Sequence, residues 1–329
     1  MTHIKLKEIS IYHPETVVNN SFYMKHYQEK GRDATKFLTD VLGRENRYII
    51  DQKDENALTM AIEASKRVLE QANMTGKDLD MIVFSSQTPE YTAPSNAIQL
   101  HHALEAGNQT MTMDSNANCA GMTVAVDQAA RNMLTNPYVN TILVVGSDYN
   151  SLMSNHDQEI TYGNFGDAAC AVILEKTEED TGFIDSHYYV DSITYDKTYF
   201  PRHGLKNAIL EGGKEQSIDW LPFDGDIALE PTYSMIESVL SRNDMTIDDI
   251  DAFCLSQFSI GNINRIQEHF HIEEEKIMFV GDRFGYTGTS SPFIALHEGI
   301  KSSRIKRGDN ILFWTIGGGF QLATMLFKY

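Results

Sequence analysis

Cys119 stands at a boundary. In "DSNANCAGMTVAVDQAARNML" it closes a polar stretch and opens a long run of small and apolar residues. Cys170 and Cys254 instead lie inside apolar, strand-like runs, the ordinary setting of a structural thiol. A thiol at a helix N-terminus meets unpaired backbone N–H groups and the positive end of the helix dipole. Both favour thiolate, the nucleophilic form. The competing reading is a small residue packed at a junction. The C-terminal "TIGGGFQLATMLFKY" adds three consecutive glycines, 317 to 319. Such a turn lets the backbone approach another group closely and can aim an N–H at a developing oxyanion. On local grounds a tight hairpin explains it equally well. The glycines are no dinucleotide fingerprint, because no G-x-G-x-x-G follows a strand and opens a helix. No Cys/His cluster has metal-ligand spacing.

These residues need elements to hold them. "TMTMDS" before Cys119 reads as a strand end, and Ala120 to Leu134 as a helix, with Pro137 just beyond its stop. Met122, Val124, Val126, Met133 and Leu134 make that helix apolar nearly all round, which predicts burial. Residues 57 to 73 put Ala61, Ala64, Val68, Leu69 and Ala72 on one helical face. Met81 to Phe84 reads as a short buried strand.

The chain also repeats itself. "MTGKDLDMIVFSSQ" from Met74 and "MTIDDIDAFCLSQ" from Met245 share Met-Thr, then Asp-apolar-Asp, four mostly apolar residues and a serine, 171 residues apart. A helical segment precedes each copy, the second with Pro231 placed for a first turn. "TILVVGS" from Thr141 resembles "NILFWTI" from Asn310, and "FGDAACAVILEK" from Phe165 resembles "GGFQLATMLFKY" from Gly318. Three matches in one order indicate a duplicated α/β unit. The boundary is expected shortly after Lys176, giving halves of 1–176 and 177–329.

Composition narrows the function classes. The chain has 329 residues, 42% hydrophobic and 22% charged, an ordinary globular balance. A net charge of -19 disfavours nucleic acid as a partner. No stretch reaches the roughly 18 apolar residues of a membrane helix. Three cysteines form no disulfide framework, and "MTHIKLKEISIYHPE" has no apolar signal core, so a reducing cytoplasm is expected.

Taken together, the motifs resemble the thiolase superfamily, specifically ketoacyl-acyl carrier protein synthase III, over nearly the whole chain. "DSNANCAGM" matches the segment around that family's acyl-accepting cysteine, and "FGDAACAVIL" its F-G-D-x-A-x-A-V-x-L segment. "FDGDIALE" resembles M-D-G-R, "RFGYTGTSSPFIAL" resembles R-Y-G-N-T-S-A-A-S, and "RIKRGDNIL" with "GGGF" matches the C-terminus. The resemblance implies a duplicated five-layer α-β-α-β-α fold. It implies a homodimer, or a heterodimer with a related ketosynthase. No bound cofactor is implied. Cys119 would be acylated by a thioester of coenzyme A or acyl carrier protein, with the N–H groups of Cys119 and Gly318 as oxyanion hole.

The departures fall at the catalytic positions. The family has histidine in V-P-H-Q-A-N and asparagine in G-N-T, where this chain reads "CLSQFSIGN" and "GYTG". Matching the glutamine, Gln257, sets Ser256 at the histidine position; matching Asn262 sets Ser259 there. The repeat favours Ser256, whose counterpart is Ser85. Tyr286 takes the asparagine position. His269 and His271 lie too far along to substitute easily. The aromatic donor contact becomes Phe37 in place of tryptophan, and a nearby arginine becomes Val41. Gln257 and Phe37 are the candidate substrate contacts, and Ser256 and Tyr286 the candidate catalytic hydroxyls. Three functions fit: a condensing acyltransferase of fatty-acid or polyketide type with weakened decarboxylation, a weak subunit of a heteromeric ketosynthase, or an acyl or acyl-carrier binding protein.

Overall fold

The computed structural model describes residues 2–210 and 216–329. Its first sheet holds β1 (His3–Tyr12), β2 (Met81–Ser85), β3 (Met111–Ser115), β4 (Thr141–Asp148) and β5 (Ala168–Thr177), in the order β1-β5-β4-β2-β3. The second holds β6 (Gly182–Val190), β7 (Ala252–Leu255), β8 (Asn310–Gly317) and β9 (Gln321–Lys328), in the order β7-β8-β9-β6. The principal helices are α1 (Ala57–Gln71), α2 (Asn96–Ala103), α3 (Gly121–Thr135), α4 (Leu229–Ser241), α5 (Ile260–Phe270) and α6 (Ser291–Lys301).

The two sheets repeat one topology. β2 and β4 run parallel, as do β7 and β8, and the next pairings outward, β4 with β5 and β8 with β9, are antiparallel. β1 and β6 close the same edge of each. The repeat extends to single hydrogen bonds. Thr75 with Asp78 forms a capping box, and so does Thr246 with Asp249, 171 residues on. Asp80 accepts from the Asn140 and Thr141 N–H groups at the start of β4; Asp251 accepts from the Asn310 N–H at the start of β8. The symmetry fails at one edge. Where β3 pairs along β2, β7 has, among the described residues, only an isolated bridge between Phe253 and Ile277.

Layering follows from which helix faces are apolar. α1 starts at a capping box between Asn56 and Thr59 and buries Ala61, Ala64, Val68 and Leu69 as the spacing predicts; Ala72 falls at the C-cap, half-buried. With α2 it covers the outer face of the first sheet. α4 and α5 cover the outer face of the second. α3 and α6 lie between the sheets, and α3 touches strands of both. A helix packed on two sides has to be apolar nearly all round. The departures are Gln128 and Arg131, exposed in the middle of the helix, and Leu134, exposed in its last turn. The result is an α/β fold of five layers, α-β-α-β-α.

One loop joins the halves at backbone level. Phe165 bridges Tyr286, the Gly166 N–H donates to the Tyr286 carbonyl at 3.0 Å, and the Tyr286 N–H donates to the Asn164 carbonyl at 2.8 Å. A Cβ on Gly166 would lie 2.0 Å from the Phe284 carbonyl oxygen. Backbone cannot yield as a side chain can. Gly166→Ala is therefore expected to destabilise the protein by about 1–3 kcal/mol or more, read as a lower unfolding midpoint in a thermal or urea titration.

Candidate active site

The tight turn that presents Cys119 is built from two asparagines. Asn116 Oδ1 accepts the Asn118 N–H at 2.9 Å, and Asn118 sits in the left-handed region with φ 51°. Asparagine tolerates that conformation better than most residues. The Ala120 and Gly121 N–H groups then return to the Ala117 and Asn118 carbonyls. α3 begins at Gly121, two residues past the cysteine.

Facing this turn is the β8–β9 turn. Gly317 approaches so closely that a Cβ would stand 3.0 Å from the Ala117 carbonyl oxygen. Asn118 Nδ2 reaches the Gly318 carbonyl at 3.4 Å. Cys119 and Gly318 thus share the wall of one cavity of about 350 Å³.

Tyr286 is the third wall. It is buried, and its hydroxyl lies beside both the Cys119 thiol and Ser256. Burial pushes its phenol well above the ordinary range, so it stays a neutral donor. Ser256 is buried behind it, and among the described residues its Oγ makes no well-formed hydrogen bond, though it stands close enough to influence the Tyr286 hydroxyl. Ser259, the other alignment, caps α5 by accepting the Gly261 N–H and donating to the Val41 carbonyl. His269 stacks on Tyr233 at 3.6 Å, and His271 ends α5; neither is on the cavity wall. Cys170 and Cys254 are fully buried in β5 and β7.

Two expectations need correction. Gln257 is not a substrate contact: its amide is consumed by backbone. It donates to the Leu255 and Met278 carbonyls and accepts the Val280 and Gly281 N–H groups, tying β7 to the segment before α6. The helix end is not free to act on the Cys119 thiol either. The Met122 N–H at the start of α3 is already taken by Thr289 Oγ1 at 2.6 Å. Burial pushes the thiol up to about 11, opposed by the Tyr286 hydrogen bond and raised further by the Asp148 charge. Phe37 starts the turn Phe37–Val41 and packs beside Leu38 and Tyr23, away from the cavity wall.

Other site residues went unread in the sequence. Cys119 Sγ lies 3.8 Å from Gln87 Oε1; Gln87 Nε2 donates to Asn150 Oδ1, and Asn150 Nδ2 to the Tyr286 carbonyl. Asp148 is fully buried and accepts the Gln87 and Thr289 N–H groups and the Ser86 hydroxyl. Burial nonetheless raises its carboxyl to about 6. The repeat held a usable signal. Gln87 and Phe258 are 171 residues apart and both line the cavity.

A half-buried thiol facing a glycine turn, on a duplicated α/β scaffold, defines an acyl-transferring enzyme of the thiolase superfamily. Residues 113–192 match 3-oxoacyl-(acyl-carrier-protein) synthase III, and residues 240–329 match the C-terminal part of the same enzyme. A beta-ketoacyl-(acyl-carrier-protein) synthase III of Clostridium perfringens is 30% identical over 332 residues, covering all of both chains. The crystal structure of 3-oxoacyl-(acyl-carrier-protein) synthase III from Aquifex aeolicus superposes with a TM-score of 0.85 at 25% identity, covering 99% of this chain and 100% of that one. A priming β-ketosynthase from a polyketide biosynthetic pathway shares the fold, with a TM-score of 0.88 at 19% identity over 99% of this chain and 96% of the other. The chain belongs to the 3-oxoacyl-(acyl-carrier-protein) synthase III family.

The thiol's protonation sets a measurable expectation. With the thiol pushed up to about 11, alkylation by iodoacetamide should rise about tenfold per pH unit from 7 to 10, since thiolate is the reactive form. Tyr286→Phe removes a hydrogen bond that lowers the thiol pKa and should slow alkylation at pH 9. A rate that levels off by pH 8 would show the helix end governing instead.

Proposed function

We propose that Cys119 accepts an acyl group from a coenzyme A or carrier-protein thioester, in a condensing enzyme whose decarboxylative half reaction is weakened. The observation that carries this is the shared cavity of Cys119 and the 317–319 turn. In this reading the nucleophile belongs to the half 1–176 and the oxyanion turn to the half 177–329. The N–H groups of Cys119 and Gly318 hold the tetrahedral oxyanion. The thiol reaches the carbonyl still protonated, and its proton passes to the departing thiolate. Phe37, on the segment hydrogen-bonded to the start of α5, is assigned to the distal part of the donor. The three free cysteines suit a reducing cytoplasm.

Decarboxylation needs donors at a second carbonyl. Where the family has a large histidine and a small asparagine, this chain has a small serine and a large tyrosine. Both are hydroxyl donors, and neither is a base near neutral pH. Because Tyr286 lies against Ser256, the two positions are coupled by volume. Ser256→His alone overpacks a buried site; Tyr286→Asn alone leaves a cavity.

Wild type should load acyl groups much faster than it releases carbon dioxide from malonyl carrier protein. One oxyanion donor is worth on the order of 10²–10³ in rate. The double variant Ser256→His with Tyr286→Asn should raise carbon dioxide release by about 10²-fold without speeding loading. Stopped-flow loading and carbon dioxide release on both proteins check this. Equal rates in wild type would mean that Ser256 and Tyr286 have taken over the missing dyad's role.

A second reading, a subunit paired with a related ketosynthase or with a second copy, draws on the edge strand β3. Met111 is 52% exposed and Met113 36% on a strand with one unpaired edge. Such edges are templates for pairing. Light scattering should give twice the 37.1 kDa chain mass, and Met111→Lys with Met113→Lys should halve it.

A further inference from the structure

The cavity wall is unusually rich in rings. Eight of its 24 described lining residues are Phe, Tyr or Trp, against 10% in the chain. Four of them form a ladder that starts at the thiol. Tyr286 touches Cys119. Phe258 meets Tyr286 edge-on, with centroids 5.1 Å apart at 89°. Trp220 lies parallel to Phe258 at 5.4 Å and 9°, and Phe223 continues at 6.5 Å and 19°. Tyr286 is buried, Phe258 and Trp220 are half-buried, and Phe223 is exposed, so the ladder runs from thiol to surface.

The ladder is a particular construction. Trp220 comes from a two-stranded ribbon, Thr198–Tyr199 with Asp219–Trp220, inserted between β6 and α4. Phe258 follows β7 at the place where the V-P-H-Q-A-N pattern has alanine. Centroid separations of 5.4 and 6.5 Å between near-parallel rings mean the rings are slipped, so each leaves part of its face uncovered. Slipped faces and ring edges are the surfaces against which another flat ring packs best. A cavity of about 350 Å³ sits near the lower end for ligand pockets and suits a short, compact group rather than a long chain.

We infer that the acyl group carried to Cys119 is a flat, conjugated one, an aroyl or short polyenoyl thioester, recognised by the Phe258–Trp220 face. This rests on the acyl-Cys119 reading. In the transfer, Cys119 Sγ bonds to the acyl carbon, the carbon–sulfur bond to the carrier thiol breaks, and the thiol proton goes to the departing sulfur. No other reactant is needed.

The test compares benzoyl and hexanoyl thioesters of N-acetylcysteamine, following loading by intact mass. The benzoyl-to-hexanoyl rate ratio of wild type is divided by the same ratio for glutathione in solution, which removes intrinsic reactivity. The quotient should be about ten. Trp220→Leu and Phe258→Leu should bring it toward one, and Trp220→Phe, which keeps a ring, should retain most of it. A wild-type quotient near or below one overturns the inference while leaving the acyl-Cys119 reading intact. So does a quotient that survives both leucine variants. If neither thioester labels Cys119, the acyl-Cys119 reading falls and this inference falls with it. The wild-type quotient needs no variant to fold.

Discussion

The site depends on one residue's two hydrogen bonds. Thr289, in the second half of the chain, accepts the Met122 N–H at the start of α3 through Oγ1 and donates its own N–H to Asp148 at the end of β4. Asp148 in turn holds the Gln87 N–H at the end of β2. The cysteine helix, two strands of the first sheet and the entry to α6 therefore meet at the Thr289–Asp148 pair. Gly121 permits the approach: a Cβ there would stand 2.4 Å from Ser85 Oγ and 2.8 Å from Thr289 Oγ1. The cost of this joint is electrostatic. It occupies an N–H at the helix start and buries a carboxylate near the thiol, and both work against thiolate.

A half-buried thiol held neutral is compatible with acyl transfer if the substrate completes the site. A thioester in the cavity brings a carbonyl to the Cys119 and Gly318 turns and a leaving sulfur that can take the proton. Preorganised N–H groups in a water-poor cavity stabilise an oxyanion more than they would in water. Tyr286, neutral and adjacent, steadies sulfur without charging it. A thiol held neutral is slower to oxidise and alkylate at neutral pH, because both reactions run through thiolate.

The fold was largely legible because its signals are local and repeated. Asp80 and Asp251 each anchor a strand start, and the spacing of 171 that separates them also separates the two capping boxes. Cys119 was legible because a polar-to-apolar boundary marks a helix start. The protonation of Cys119 was not, because it is set by Thr289 and Asp148, which are distant in sequence. Gln257 misled for a related reason. A polar residue in a motif invites a functional role, yet burial forced its amide to satisfy four backbone groups. The aromatic ladder was invisible because it joins Phe258 to a ribbon 38 residues upstream at Trp220, and no periodicity links them.

The small and large pair at Ser256 and Tyr286 also constrains which substitutions the chain accepts. A histidine introduced at 256 meets a tyrosine that already fills the space. An asparagine introduced at 286 leaves Ser256 beside a void. A two-step exchange is therefore uphill at its first step in either order, and packing alone locks the pair together.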